Sequence, residues 1–408
     1  MKILFLSRWF PFPPDNGARI RIYNLLKILA PHHDVDLVSF AGDNPSLVDM
    51  GSMRDLCRKV TVVPFKAFDP ASPSTMLGFL SRSPRSVSAT FSESMMRSVE
   101  EAWRTRSHDL VIASELDMAP YARNLTGGLK VLEEVELTSF WDQVAKETEP
   151  LRRVRRYLMW WKLARYVRRL LWDFDACTVV SELERARLES LGHRSGTIEV
   201  VPNGVDLEML GLDFGSPNPK RLIYPGSVTY SANFEAVDFF ARKILPLVRR
   251  AKPDVEFYVT GTTEGVSTDQ WAEVGGINLT GHVDDIRRAV GSAWMTVVPL
   301  LSGGGTRLKV LESMALGTPV VSTSKGVEGL DIRPGREYVL ADSAEAFADA
   351  VIELIDNPQA RNGLSKNGRR AVAERYGWSK VAERVLGLLE QLQEQAAPGR
   401  IVRFSHAT

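Results

Sequence analysis

The stretch Leu300–Thr323, L-L-S-G-G-G-T-R-L-K-V-L-E-S-M-A-L-G-T-P-V-V-S-T, restricts the fold more than any other part of the chain. An apolar strand, Thr296–Pro299, runs into three successive glycines, Gly303, Gly304 and Gly305, then into a helix, and then into a second strand at Pro319–Ser322. Strand, helix and strand in that order form a crossover unit, whose strands lie parallel in a helix-covered sheet. Glycines at the carboxyl end of a strand let backbone N–H groups approach an anion, and the helix that follows points its positive end at the same spot. Ser302 and Thr306 flank the glycines, and Arg307 and Lys309 add full positive charge. Glu312, about one turn into the helix, can accept hydrogen bonds from a ribose diol. A nucleotide diphosphate suits such a loop. The alternative is a flexible connection with solvated Arg and Lys side chains, since glycine-rich loops often lack a phosphate. The close succession of glycines, cations and a carboxylate after one strand favours the site.

The same grammar recurs along the whole chain. In the first half, apolar runs predict strands at Ile3–Ser7, Val35–Phe40, Val60–Val63, Leu110–Ala113, Lys130–Leu132, Cys177–Val180 and Glu199–Val201. Helical patterns fill Arg19–Leu29, Phe91–Thr105 and Leu151–Trp172. The second half predicts strands at Leu222–Tyr224, Glu256–Thr260, Ile277–Leu279, Thr296–Pro299, Val320–Ser322 and Tyr338–Leu340. Its helices are Phe234–Arg249, Asp285–Ala293, Leu308–Ala315, Ala344–Ile355, Ala360–Arg375 and Ser379–Gln395. Strands alternating with helices imply an α/β fold with parallel, doubly wound sheets. A chain of 408 residues fits two domains of roughly 200 residues each. The polar stretch after Pro202-Asn203-Gly204, rich in Gly, Pro and Asn, reads as turn and linker. The expected domains are 1–205 and 206–378, with 379–395 a helix packing back toward the first domain and 396–408 a tail. Two Rossmann-like domains facing each other across a cleft follow. Ligands in such sheets sit beyond the carboxyl ends of the strands. Gly17, Gly226, Gly261, Gly281 and Gly303–Gly305 each follow a predicted strand. No G-x-G-x-x-G opens either half, which argues against a dinucleotide redox enzyme.

Composition excludes several classes. The net charge of +1 gives no reason to expect nucleic acid as a partner. Two cysteines, Cys57 and Cys177, far apart in sequence, point to a reducing cytoplasm rather than a disulfide framework. The opening M-K-I-L-F-L-S reads as a first strand rather than a signal, and no apolar run approaches the ~20 residues of a membrane span. No Cys/His spacing indicates a metal.

Taken together, several segments resemble the GT-B glycosyltransferases, specifically glycosyltransferase family 4, over almost the full length. They are P-P-D-N-G-A-R-I-R near the N-terminus, V-V-S-E-L-E-R at Val179–Arg185, V-P-N-G-V-D at Val201–Asp206 and Y-P-G-S-V-T-Y-S-A-N-F-E-A-V at Tyr224–Val237. T-G-H-V-D-D-I at Thr280–Ile286 and the G-G-G-T-R-L-K loop complete the set. The resemblance implies transfer of a sugar from a nucleotide diphosphate donor, with retention at the anomeric carbon. It places the donor in the C-terminal domain and the acceptor, a small molecule, glycan or lipid-linked group, mainly in the N-terminal one. It requires no further cofactor. Glu312 matches the second glutamate of the family's E-x7-E motif, and the first falls at Gly304 and is absent. The loop Gly226-Ser227-Val228-Thr229-Tyr230 lacks the basic residues common there, so the resemblance leaves the diphosphate charge to Arg307 and Lys309. The histidine many members place near the cleft is missing from Ile112-Ala113-Ser114-Glu115.

The remaining candidates carry two readings each. Gly17 is a close-approach glycine at the acceptor or phosphate, or an ordinary helix entry, with Arg21 a candidate phosphate contact. Gly281, His282 and Val283 bracket the base in this fold, the imidazole being a bystander. Glu133, Glu134 and Glu136 follow a strand; Glu134 and Glu136 are candidates to orient an acceptor or act as base, against a solvated acidic loop. Pro64–Met95, rich in Ser, Pro and aromatics, reads as acceptor-recognition loops. Leu151–Trp172 interleaves arginines with Tyr157, Trp160, Trp161 and Trp172. It is either a helix with a Trp-rich core face or an interfacial helix on anionic lipid at the inner face of the plasma membrane. A sugar-nucleotide epimerase and a non-catalytic nucleotide- or glycan-binding scaffold are the rival functions.

Overall fold

The computed structural model describes residues 1–41, 49–65, 84–192 and 196–396. It divides into two units, one made of residues up to Pro202 together with those from Val381 onward, the other of Asn203–Lys380.

The first unit holds seven parallel strands: β1 (Lys2–Ser7), β2 (Asp34–Phe40), β3 (Lys59–Val63), β4 (Leu110–Ser114), β5 (Leu129–Glu133), β6 (Ala176–Val179) and β7 (Thr197–Val200). Their order is β3-β2-β1-β4-β5-β6-β7, so the direction of winding reverses between β1 and β4. Ile3, Leu4, Phe5 and Leu6 are all fully buried, as strands covered on both faces require. Burying each contributes roughly 1.5–3 kcal/mol. The helix Gly17–Leu29 enters on Asn16, whose side chain accepts from the Arg19 N–H at 3.1 Å. The helix Trp378–Ala396 belongs to this unit from Val381 on. Its Val385, Leu388 and Leu389 close over Phe5, Leu25 and Ile112, and Arg384 donates to the Val200 carbonyl at 2.7 Å.

The second unit holds six parallel strands: β8 (Asn218–Pro225), β9 (Glu256–Thr260), β10 (Ile277–Gly281), β11 (Ala293–Val298), β12 (Val320–Ser322) and β13 (Val339–Leu340). The order β10-β9-β8-β11-β12-β13 puts its reversal between β8 and β11. The helix Leu308–Ala315, on the crossover from β11 to β12, buries Val310, Leu311, Met314 and Ala315.

Three expectations need correction. The helix expected at Phe234–Arg249 is broken by a widened π turn at Phe240–Ile244. Pro246 lacks an N–H and its ring would clash with the carbonyl four residues back, so the extra residue in the turn accommodates it. Of Pro64–Met95, residues 66–83 lie outside the described residues, but Arg85–Thr90 and the start of Glu93–Arg106 are helical rather than loop. The core face of Leu151–Trp172 is not Trp-rich: Leu163, Tyr166, Val167 and Leu170 are buried, Trp160 packs partly against that core and edge-on against Trp141, and Trp161 and Trp172 are exposed.

Candidate active site

In the second unit the strand ends at the reversal carry a compact polar cluster. Lys309, in the first turn of its helix, donates from Nζ to the Tyr224 hydroxyl at 2.7 Å and to Asn233 Oδ1 at 2.9 Å. Nζ also lies 4.0 Å from the centre of the Tyr224 ring. Tyr224 donates to Asn233 Oδ1 at 2.6 Å, and Asn233 donates to the Ser227 carbonyl at 2.7 Å, tying the loop after β8 to the cluster. Gly226 sits directly over it with φ 150°; a Cβ there would come within 3.0 Å of Lys309 Nζ and 3.1 Å of Asn233. Only glycine lets the backbone lie this close to the ammonium. Gly261, at the end of β9 with φ 95°, is held similarly, since a Cβ would meet the Ser227 nitrogen at 2.7 Å. Its N–H donates to the Gly281 carbonyl at 2.8 Å, so the ends of β8, β9 and β10 are stitched side by side.

Arg307 caps the other side. It is buried, donating from Nη1 to the Gly304 carbonyl at 2.9 Å and from Nη2 to that of Gly303 at 2.8 Å, with Glu328 at 3.7 Å. The guanidinium therefore fixes the glycine loop from beneath. Burial, with Arg307 adding to it and Glu312 opposing, pulls the Lys309 pKa down to about 7. Burial likewise pushes Glu312 up to about 7, Lys309 pulling the other way. Beside this pair lies a cavity lined by Met209, Pro225, Ile286, Val290 and Leu316, with Lys309 and Glu312 as part of its wall.

The strand ends of the first unit are acidic. Arg21 is fully buried; its Nε donates to Glu133 Oε1 at 2.6 Å and its Nη2 to the Val201 carbonyl at 3.0 Å, with Glu134 at 3.6 Å. Burial opposes its charge, yet Glu133 and Glu134 hold its pKa above the usual value. Glu133 also accepts from Ser114 at 2.8 Å. Glu115 and Glu134 adopt left-handed backbone, φ 68° and 59°, uncommon outside glycine and concentrated at functional sites. Burial pushes Glu115 up to about 7 and holds Glu134 well above the carboxylate range, with neighbouring glutamates adding to it. At the reversal between β1 and β4, Arg8 binds Asp117 and lies over the Trp9 ring at 5.1 Å.

Two family profiles cover most of the sequence. "Glycosyl transferase 4-like domain" matches residues 16–204, and "Glycosyl transferases group 1" matches residues 219–357. The chain belongs to the family 4 glycosyltransferases. A phosphatidyl-myo-inositol mannosyltransferase of Mycobacterium leprae is 30% identical over 52% of this chain, which spans 58% of that relative's length. An uncharacterised 44.6 kDa protein of the cps region of Klebsiella pneumoniae is 23% identical over 93% of this chain and 97% of its own. Among solved structures, Anabaena HepE in complex with UDP superposes with a TM-score of 0.66 at 13% identity, covering 96% of this chain and 100% of that one. Sucrose-phosphate synthase from Thermosynechococcus elongatus gives 0.67 at 19% identity, covering 97% and 100%. These likenesses carry the GT-B fold, not the substrates.

In this glycosyltransferase the structure gathers Gly226, Ser227, Gly261, Gly281, Gly303, Gly304, Arg307, Lys309 and Glu312 at one end of the second sheet. Ser227 is engaged by the protein itself, donating to the Thr262 carbonyl at 2.7 Å, and Ser302 donates to Glu235. His282 is exposed, and Val283, Gly305 and Thr306 lie on the loops around the cluster. Gly17 is exposed at the helix start. Arg21 is corrected: completely buried against Glu133, it is no free phosphate contact but the internal counter-ion of the acidic strand ends. Glu134 and Glu136 are half-buried beside it. Sequence reasoning missed Tyr224, Asn233 and Glu115. The first two stood within the quoted Y-P-G-S-V-T-Y-S-A-N segment, but nothing in their spacing announced that they meet Lys309.

Proposed function

We propose that this enzyme moves a sugar from a nucleotide diphosphate to a hydroxyl acceptor, with retention at the anomeric carbon. The observation that carries the reading is the cluster of Lys309, Tyr224 and Asn233 under Gly226, flanked by the Arg307-clamped glycines and by the cavity at Glu312. The diphosphate lies over Gly226 and Gly303–Gly305, at the positive end of the helix Leu308–Ala315. Glu312 accepts from the ribose hydroxyls, and the base fills the apolar cavity of Met209, Ile286, Val290 and Leu316. Lys309, neutral in part while the site is empty, takes up a proton as the anion arrives. As the glycosidic bond breaks, Lys309, Arg307 and the loop amides stabilise the charge on the departing phosphate. That phosphate oxygen takes the acceptor proton on the same face. Glu134 and Glu136, in the first unit, orient the acceptor, and the strained backbone at Glu134 supports a role there. Two free, buried cysteines fit a reducing cytoplasm.

A mannosyltransferase of Corynebacterium glutamicum, 23% identical over 55% of this chain, is GDP-mannose-dependent, and the Anabaena HepE structure holds UDP, so both nucleotide classes head the test panel. The chain is incubated with UDP- and GDP-sugars, and the products are followed by mass spectrometry and anomeric NMR. Release of the nucleoside diphosphate with transfer to acceptor or water is expected. An epimerised nucleotide sugar, or tight binding without turnover, would instead establish one of the rival functions.

A further inference from the structure

The helix Pro150–Leu170 buries side chains only at its far end among the described residues, and nearer its start Arg156 donates to the Gln143 carbonyl at 2.7 Å. Leu163, Tyr166, Val167 and Leu170 are buried, whereas the residues from Leu151 to Met159 are exposed apart from the half-buried Arg156. Large apolar side chains stand in water there: Leu151 is 81% exposed, Leu158 58% and Trp161 53%. At 100° per residue, Leu151, Val154, Tyr157, Leu158 and Trp161 fall on one face, an arc of about 120°. Arg153 and Arg155 border that arc on opposite sides, and Arg165 and Arg168 continue it, Arg165 lying 5.7 Å from the Trp161 ring centre. Turned away from it, Arg152 pairs with Glu149 at 2.6 Å and Arg156 with Glu147 at 3.0 Å. The arginines bordering the apolar stripe have no acidic partner among the described residues. So the helix neutralises its cations on one side and leaves them bare on the other.

An apolar stripe of this width, with an aromatic at its end and arginines along both edges, fits a surface that is apolar inside and negative at its rim. A second copy of the chain fits poorly, because a twofold contact would set like arginines against each other. We propose that this face docks on an anionic lipid bilayer. The helix lies in the plane of the interface, Leu151, Val154, Leu158 and Trp161 enter among the upper acyl chains, and Arg153, Arg155, Arg165 and Arg168 meet the headgroup phosphates. No helix among the described residues is long and apolar enough to cross a membrane, so this is surface attachment. It is independent of the sugar-transfer reading.

The test is co-sedimentation of the full chain with phosphatidylcholine vesicles, with and without phosphatidylglycerol. Binding should favour the anionic vesicles at least about tenfold at low salt and fall steeply at high salt, as screening requires. The pair Val154→Glu and Leu158→Glu, and separately the set Arg155→Gln, Arg165→Gln and Arg168→Gln, should each reduce it about tenfold or more. Arg152→Gln with Arg156→Gln, on the neutralised side, should leave it within about twofold. Val154, Leu158, Arg155, Arg165 and Arg168 are exposed, so thermal midpoint and nucleoside diphosphate binding serve as controls for those variants and should not change. No binding to anionic vesicles at low salt would overturn the proposal. So would binding insensitive to the Val154 and Leu158 changes, or a dimer in sedimentation velocity that those changes dissolve.

Discussion

At the carboxyl end of the first unit's sheet, Glu115, Asp117, Glu133, Glu134 and Glu136 surround Arg8 and Arg21; at the corresponding end of the second unit's sheet, Lys309 and Arg307 sit among glycines. Both sheets are parallel and doubly wound, and both reverse direction beside the polar cluster. The architecture therefore decides where polar groups gather, and the loop residues decide their sign. In the first unit a buried arginine is consumed in balancing carboxylates, and burial holds Glu115 and Glu134 partly protonated. In the second, burial weakens the charge of Lys309, which leaves it short of a counter-charge that an anionic ligand can supply. An arginine is present at both ends, but Arg21 is paired with carboxylates while Arg307 holds the carbonyls of the glycine loop.

Exchanging the same residue type at the two ends tests that contrast most severely. Arg21→Ala leaves Glu133 buried without its partner, which costs about 3–5 kcal/mol. Urea denaturation should register the loss even without substrate. Unchanged stability with lost turnover would mean that Arg21 touches substrate and that the two ends are alike. Arg307→Ala should behave oppositely. One charge-assisted hydrogen bond contributes about 1.5–3 kcal/mol, so transfer should slow on the order of 10- to 150-fold. Wild-type turnover in the folded variant would remove Arg307 from the reaction.

The titration of Lys309 sharpens the comparison further. Its pKa of about 7 should rise when a diphosphate binds, so binding takes up a proton above neutrality. Affinity for UDP or GDP should fall as pH rises through and beyond 7, by up to about tenfold per unit. Lys309→Met should bind more weakly and lose that slope. Calorimetry in buffers of different ionisation enthalpy reads the proton directly, and proton release on binding to wild type would refute the assignment.

The smallest effect belongs to Glu312. Its pKa is raised above the unfolded value, so its contribution to stability is full at acid pH and is lost as pH rises through about 7. Glu312→Gln should therefore stabilise the ligand-free protein at pH 8, by roughly 1 kcal/mol or a few degrees in Tm. The same change should weaken ribonucleotide binding while costing a 2′-deoxynucleotide little. Equal losses for both nucleotides would show that Glu312 does not reach the ribose.

The strands were readable from the chain because a strand covered on both faces is an uninterrupted apolar run, and every one from Ile3–Ser7 to Tyr338–Leu340 lies within a few residues of its expected place. Short helices were harder. Thr138–Ala145 and Glu182–Ser190 have too few turns for a periodic signal. The second did advertise its start, since Ser181 accepts from the Glu184 N–H at 3.2 Å, the contact an S-x-x-E pattern encodes. The glycine loop and its cations were legible because they are contiguous. Arg21 was misread because its partner lies on a different element: Glu133, at the end of β5, is distant in sequence from the helix that carries Arg21, and no local spacing distinguishes a buried ion pair from a waiting phosphate contact. Tyr224 and Asn233 stayed silent for the same reason, since each looks ordinary until the helix carrying Lys309 is laid beside β8.

Because residues from Val381 onward complete the first unit, its core is split between two segments that flank the second unit in sequence. Phe5, Leu25 and Ile112 leave the ribosome long before Val385, Leu388 and Leu389, which cover them. At about 5–20 residues per second the interval is on the order of fifteen to seventy-five seconds. The contiguous second unit has time to fold within it. The first unit's strands emerge before the second unit and are covered only after it, so a nascent chain must carry an uncovered apolar sheet while the second unit is already formed. A chain cut short before Val381 would keep the second unit and never close the first, and its uncovered strands would stand open to a protease.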